Sequence, residues 1–296
     1  MSSSLSWCVI FNMNTVSMRE YHRWKKFLED GEILHTSYQT HSVIELKALI
    51  EKIISCGHRY FLFAGGDGTL HQGGNVLMQY VDLRQEFTLG VLPCGSGNDW
   101  VRTFGLKAKA LTLALKNYTY TSHNVLQVQL KGGETHYAFN MLGAAFDASV
   151  VDSINHSKVN LTGKLKYMLG ILIALGKPHR WPGKLKVDGK EYKGDWLTIQ
   201  AGFGKYCGGG MYVLPHAGVE RAALLLMKQK SIIRLITSLP KIYNGKIAKQ
   251  PEAIALHFDK LEINHLERPL PIEADGEWLG ESPAVIIVVK GINRVN

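Results

Sequence analysis

Two glycine-rich turns, each preceded by an apolar run that reads as a strand, constrain the fold of this chain more than any other stretch. Tyr60-Phe61-Leu62-Phe63-Ala64 leads into Gly65-Gly66-Asp67-Gly68-Thr69, and Phe87–Leu92 leads into Pro93-Cys94-Gly95-Ser96-Gly97-Asn98-Asp99. Glycine accepts positive φ and lets backbone approach a ligand, so a strand ending in Gly-Gly-x-Gly can present its N–H groups. Successive N–H groups before a helix N-terminus form an anion-binding concavity. The charge of Asp67 repels a bare phosphate, so its carboxylate calls for an intervening cation, a nucleotide hydroxyl or neighbouring N–H donors. One such turn is ordinary punctuation; two, each after a strand and each ending in a polar pair, point to a ligand site.

The flanking segments alternate strand and helix. Leu5–Asn12 reads as a buried strand, and Ser17-x-x-Glu20 is a capping box that opens a helix from Met18 to Asp30, stopped by Gly31. Glu32–Thr36 reads as a second strand. Ser42-x-x-Glu45 opens another helix, with Val43, Leu46, Leu49, Ile50, Ile53 and Ile54 on one face and Gly57 at its end. A helix from Leu70 to Tyr80 follows the first glycine turn. It contains Gly73-Gly74, each costing about 1 kcal/mol relative to alanine, which close packing or a nearby ligand explains. Shorter helices, Asn98–Phe104 and Ala108–Lys116, follow the second turn. This alternation predicts a parallel sheet with helices on both faces and a ligand at the carboxyl ends of its strands.

After Tyr118 the texture is that of β structure. Asn124–Leu130, Thr135–Leu142, Leu185–Val187, Trp196–Phe203, Ala222–Met227, Ala253–Phe258, Leu261–Ile263 and Ala284–Val289 read as strands, and Asp188-Gly189 as a hairpin turn. Helical inserts are expected at Gly163–Gly176 and Ser231–Tyr243. A mostly antiparallel second domain, a sandwich, is the expectation, with domains at 1–122 and 123–296.

The formal net charge of +9 is concentrated: residues 157–250 hold 17 Lys/Arg against four acids, a surplus of 13. Such a segment suits an anionic partner, or is simply a solvated lysine-rich surface. No nucleic-acid recognition motif accompanies it, so no nucleic-acid partner is expected. The longest apolar run, Tyr167–Leu175, is about half the length of a membrane-spanning helix. Met1–Phe11 has no basic leader or small-residue cleavage site, so no secretory signal is expected. Cys8, Cys56, Cys94 and Cys207 are scattered and match no metal or disulfide spacing, as in a reducing cytoplasm.

These residues resemble the lipid kinases with a diacylglycerol-kinase-type catalytic domain, relatives of sphingosine and ceramide kinases. The likeness rests on Gly65–Thr69 with Asn75, on Pro93-x-Gly95-x-Gly97-Asn98-Asp99 with Arg102, and on Asn140-x-x-Gly143-x-x-Phe146-Asp147-Ala148. It continues through Gly163-Lys164-Leu165-Lys166-Tyr167, Gly208-Gly209-Gly210-Met211 with Pro215-x-Ala217, and Asp275-Gly276-Glu277, in the family's order over nearly the whole chain. The resemblance implies an NAD-kinase-like nucleotide-binding domain, a C-terminal β-sandwich, and an active site in the cleft using ATP and Mg²⁺. Backbone at Gly65, Gly66, Gly68, Gly95 and Gly97 would hold the phosphates, with the Thr69 and Ser96 hydroxyls adding hydrogen bonds. Asn12 carries over from the first loop, and Thr36 or Thr40 would contact nucleotide, the register staying open. Asn98 and Asp99 line the cleft by this analogy; as plain sequence, Asn98 is also an ordinary N-cap. Glu277 would accept the hydroxyl proton, while Asp275 and Asp67 would sit around Mg²⁺; an Asp-Gly pair is equally a hairpin turn. Asp147 is either structural or part of the same site.

The chain also departs from the family. Asn12-Met13-Asn14-Thr15-Val16 replaces Asn-Pro-x-Ser-Gly, His71-Gln72 replaces Asn-Glu, and Glu220-Arg221-Ala222-Ala223 replaces Asp-Asp-Gly-Leu. The last change should weaken or remove a structural Mg²⁺ site. The resemblance implies an ATP-dependent kinase acting on diacylglycerol or a related lipid at an anionic membrane surface, cytoplasmic and peripherally attached, with a homodimer left open. The alternatives are a degenerate member that binds lipid or nucleotide without turnover, and an NAD-kinase-like activity. Trp181 and Lys177–Lys186, beside the apolar helix ending at Leu175, and the Ser231–Tyr243 helix are candidates for lipid contact, or else ordinary core.

Overall fold

The structure, a computed structural model, describes residues 6–155, 169–171, 173, 174, 176 and 180–296. The Gly163–Tyr167 motif, Lys177 and residues 167, 168, 172 and 175 of the Tyr167–Leu175 run lie outside the described residues. The chain divides into two compact units, Met1–Asn124 with Lys290–Asn296, and Val125–Val289.

The first unit is a parallel sheet of β1 (Trp7–Asn12), β2 (His35–Thr40), β3 (Tyr60–Gly65) and β4 (Thr88–Pro93), ordered β4-β3-β1-β2. The last residues of the chain lie parallel to β4, with Asn293 opposite Thr88 and Arg294 opposite Leu89. Strands β1, β3 and β4 are nearly continuous in apolar residues because both of their faces are covered, whereas β2, at the sheet edge, is polar. Trp7, Val9 and Phe11 pack with Leu62, Leu92, Leu111 and Leu115 on one side. Helix α1 (Met18–Asp30) carries the full capping box at Ser17 and Glu20. In α2 (Val43–Ser55) Ser42 caps Glu45 N–H, but the Glu45 carboxylate turns to the His41 N–H instead, 2.7 Å away. Strand β2 begins three residues later than the Glu32–Thr36 reading. Residues 31–33 finish the exit from α1, with Glu32 in left-handed backbone and the Ile33 N–H bonded to Leu28 O.

Helix α3 (Asp67–Gln79) also begins three residues earlier than its apolar spacing suggests. Its Gly73 lies against the Phe63 ring, where a methyl group would come within 2.5 Å of ring carbons, so close packing accounts for that glycine. The unit is completed by α4 (Asp99–Phe104) and α5 (Ala108–Lys116).

The second unit is antiparallel and organised on the long β9 (Lys190–Gly202). The first half of β9 pairs with β8 (Trp181–Val187) through the Asp188-Gly189 turn, both residues at positive φ. Its second half lies between β7 (Met141–Ala145) and β12 (Ala223–Lys228), with the two-residue strands β10 (Tyr206–Cys207) and β11 (Met211–Tyr212) paired in the connection from β9 to β12. Beyond β12 runs β13 (Ala253–His257). Beyond β7 runs the hairpin of β15 (Pro271–Ala274) and β16 (Glu277–Glu281). Strand β14 (Lys260–Leu266) continues from β8 toward β17 (Ala284–Val295), which outruns the expected Ala284–Val289. After β5 (Tyr120–Leu130), the expected Thr135–Leu142 strand is broken into β6 (Thr135–Ala138) and β7 at Phe139-Asn140. Helix α6 (Phe146–Asn155), not anticipated from sequence, follows β7 directly, and α7 (Ile232–Ile242) follows β12.

Candidate active site

In the first unit the four parallel strands end together. Asn12 stands opposite Thr40 and Gly65 opposite Pro93, so the carboxyl ends of β2, β1, β3 and β4 lie side by side. Thr40 is the last residue of β2, at this end of the sheet, and Thr36 is its second residue, near the opposite end. The two glycine turns touch backbone to backbone. The Cys94 N–H donates to Gly65 O at 2.9 Å, and a methyl group on Gly95 would come within 2.5 Å of Gly66 Cα. Only glycine allows this approach, which explains why glycine recurs in both turns.

Gly66 is the N-cap of α3, so Asp67, Gly68 and Thr69 form its first helical turn rather than a loop. The leading N–H groups of such a turn have no carbonyl ahead of them within the helix. The Asp67 carboxylate takes two N–H donors across the site, Asp99 N at 3.0 Å on Oδ2 and Trp100 N at 3.1 Å on Oδ1. It therefore caps α4 from a different helix, realising the third of the options open for it. Asn98 is not the side-chain cap that its position suggested. Its backbone is left-handed, and its amide closes on Gly95, accepting from Gly95 N at 3.0 Å and donating to Gly95 O at 2.6 Å.

The remaining residues separate by exposure. Gly66, Asp67, Gly68, Gly95, Gly97 and Asn98 are half-buried and Ser96 is exposed. Gly65, Thr69 and Thr40 are buried. The Thr69 hydroxyl accepts from Asn12 Nδ2 at 2.9 Å, and the Thr40 hydroxyl faces Phe11 O at 3.5 Å. Both threonines tie the strand ends together. Burial pushes the Cys94 thiol up to about 11, which leaves it protonated and unreactive at neutral pH.

In the second unit, Asp275-Gly276 is the turn of the β15–β16 hairpin, with both residues at positive φ. The Asp275 carboxylate reaches back to the break between β6 and β7. It accepts from Phe139 N at 2.9 Å, Asn140 N at 2.8 Å and Met141 N at 3.0 Å. Asn140, so held, donates Nδ2 to Tyr206 O at 2.9 Å. Glu277 opens β16 and is half-buried. Sequence reasoning missed Glu273, two residues before the turn. It is buried, accepts from Gly276 N at 2.7 Å, and converges with Asp147 over Gly143, where a methyl group would collide with both carboxyls. Burial, reinforced by the Asp147 charge, holds the Glu273 carboxyl well above its ordinary range. Burial likewise raises Asp147, against a hydrogen bond from Gln200. The signal was present: an acid inside the otherwise apolar run 270–274, facing a glycine across the sheet at Gly143.

Asp147 and Gln200 also line a pocket between α6, α7 and strands β9 and β12. Its walls include Val150, Leu225, Met227 and Leu239, and Lys230 lines it beyond the end of β12. The Lys230 side chain is 1 % exposed and its Nζ lies 3.3 Å from Ser238 Oγ and 3.8 Å from Glu252. Burial lowers its pKa. From Leu225, opposite Gln200, to Lys230 is roughly 16 Å of extended chain. The pocket is thus apolar between two polar groups. Among the described residues no three His, Cys, Asp or Glu gather to hold a metal, and no helix is long and apolar enough to cross a membrane.

One unit thus carries paired glycine turns at the carboxyl ends of its parallel strands, and the other a largely apolar pocket. Residues 6–129 match the diacylglycerol kinase catalytic domain, and residues 140–295 match the YegS C-terminal NAD kinase beta sandwich-like domain. The chain belongs to the YegS-like lipid kinase family. It is 24% identical to a "Probable lipid kinase YegS-like" of Pseudomonas aeruginosa, over 85% of this chain and 81% of that one. It is 26% identical to a diacylglycerol kinase of Mycobacterium tuberculosis over the same shares. The fold matches a solved diacylglycerol kinase from Bacillus anthracis with a TM-score of 0.70 at 17% identity, covering 100% of this chain and 98% of that one.

Proposed function

We propose that the protein is an ATP-dependent kinase that phosphorylates a hydroxyl of diacylglycerol or a related lipid. The observation that carries this reading is the predominantly apolar pocket with Asp147 and Gln200 in its wall, which suits apolar chains beside a polar group. The paired glycine turns supply the other requirement, backbone that a polyphosphate can approach.

In the reaction the lipid hydroxyl oxygen attacks the γ-phosphorus, the bond to the β-phosphate oxygen breaks, ADP leaves, and Glu277 accepts the hydroxyl proton. Mg²⁺ bound with ATP would neutralise phosphate charge. Asp67 fits that ion by chemistry and place: a carboxylate, in the hard oxygen class that Mg²⁺ takes, at the first turn of α3 beside the paired glycine turns. Asp275 fits it less well, because three of its lone-pair sites are occupied by N–H donors. That occupancy also favours a second reading, a lipid-binding member of the family without turnover.

Phosphate transfer from labelled ATP to a lipid panel in mixed micelles tests both. Activity toward one lipid, lost in Glu277→Ala while that lipid still binds, supports the kinase. Saturable lipid binding with no transfer to any acceptor supports the second reading.

A further inference from the structure

Helix α7 is two-faced in an unusual way. Its inner side, through Leu235, Leu239 and Ile242, is a wall of the apolar pocket. Its outer side leaves Ile233 75% and Ile236 49% exposed, one turn apart and not part of that wall. Ile233 gains little from the fold and Ile236 about half of what burial offers, so this face leaves a pair of apolar side chains to its surroundings.

The charge around them identifies those surroundings. Residues 228–249 contain six Lys/Arg and no Asp or Glu. Lys228, Arg234, Lys246 and Lys249 are exposed, while Glu252 pairs with Arg234 at 3.5 Å from the far end of the segment. Beside the start of α7 lies an open groove lined by Arg180, Lys228, Lys230 and Arg234, with Asp195 held by Arg180. Apolar side chains standing among exposed cations are the composition of a helix lying in the headgroup region of a bilayer. Each such cation near an anionic leaflet adds to the attraction.

We infer that α7 is the surface through which the protein rests on an anionic phospholipid bilayer, its outer isoleucines entering the acyl boundary and its cations meeting the headgroups. The inference rests on the lipid-kinase reading for its purpose but not for its test. One helix then faces both the membrane and the pocket, so a lipid leaving the bilayer meets the pocket wall first, without crossing water.

The test is co-sedimentation of the whole protein with vesicles of phosphatidylcholine alone and of phosphatidylcholine with phosphatidylglycerol. Wild type should bind the anionic vesicles, and binding should weaken in high salt, which screens exposed charges. The double variant Ile233→Asp, Ile236→Asp should lose roughly tenfold or more of that binding. Ile44→Asp, an equally exposed site on α2, should lose none. Failure of wild type to bind anionic vesicles, or equal binding by the double variant, overturns the inference. So does a wild-type dimer that the double variant dissolves, since the face then belongs to a second copy. Transfer activity in detergent micelles is read in parallel: its absence bears on the kinase reading and leaves the vesicle result standing.

Discussion

Asp275→Asn isolates what that carboxylate does. Both oxygens are occupied in the protein alone, Oδ1 by Asn140 and Met141 N–H and Oδ2 by Phe139 N–H, and all three donors belong to buried residues. Asparagine tolerates the left-handed backbone of position 275, so the turn itself is not strained by the change. Its amide oxygen can keep the Oδ1 donors, but its NH₂ then faces the Phe139 N–H, donor against donor. One unsatisfied buried donor costs about 1–3 kcal/mol, and the two retained bonds lose their charge assistance, for a total of about 2–4 kcal/mol. Because 1.4 kcal/mol is a factor of ten, amide hydrogen exchange at residues 139–141 should accelerate about 30- to 1000-fold, without metal or nucleotide present. A carboxylate that served only as a metal ligand would behave otherwise: its neutralisation would leave metal-free exchange unchanged. That result would refute the clasp.

Other consequences follow from the same geometry. The raised carboxyls of Asp147 and Glu273 favour their protonated forms in the folded protein. Their contribution is complete below the ordinary values of 3.8 and 4.5 and is lost as pH rises through the raised ones. Glu273→Gln should therefore flatten the fall in melting temperature between acid and neutral pH and be at least as stable as wild type at pH 7; an unaltered pH profile would count against the pair. Gly95→Ala forces apart two backbones that touch at Gly66, so it should cost about 1–3 kcal/mol by urea denaturation and weaken ATP binding by calorimetry. Asp67→Ala removes the cap from α4 and should cost about 1–2 kcal/mol in metal-free buffer, where a pure ligand role predicts no loss.

What could be read from the sequence was mostly local. The Ser17 capping box, the ends of α1 and α5 and the Asp188-Gly189 hairpin all depend on residues within a few positions of one another. The family motifs carried the two architectures and their order. What escaped depends on distant partners. The break at Phe139-Asn140 is imposed by a carboxylate more than 130 positions away, so an apolar run reads as one strand where there are two. The early start of α3 is imposed by strand geometry, because Gly65 must finish pairing with Pro93 before the chain turns over Gly95. Glu273 was passed over because its neighbour over Gly143, Asp147, lies on another element. Asn98 looked like a cap because the side chain that does the capping, Asp67, belongs to another motif.

That last pattern recurs and bears on how the site works. Asp67, from the first glycine motif, holds the N–H groups of Asp99 and Trp100 in the second. Asp275, from the Asp-Gly-Glu motif, holds Asn140, from the motif that runs on to Gly143 and Asp147. Each acid thus joins two motifs of its own unit, and each motif's shape depends on a charge carried by the other. Glu277 is placed by the same hairpin, two residues past the clasped aspartate, so loosening Asp275 also displaces the proposed base. Loss of transfer in an Asp67 or Asp275 variant consequently has two physical causes, absent chemistry or a slackened turn. Only a measurement on the ligand-free protein separates them. Glu277→Gln is the cleaner probe of chemistry, because it removes the proton acceptor while the clasp at Asp275 keeps its three donors.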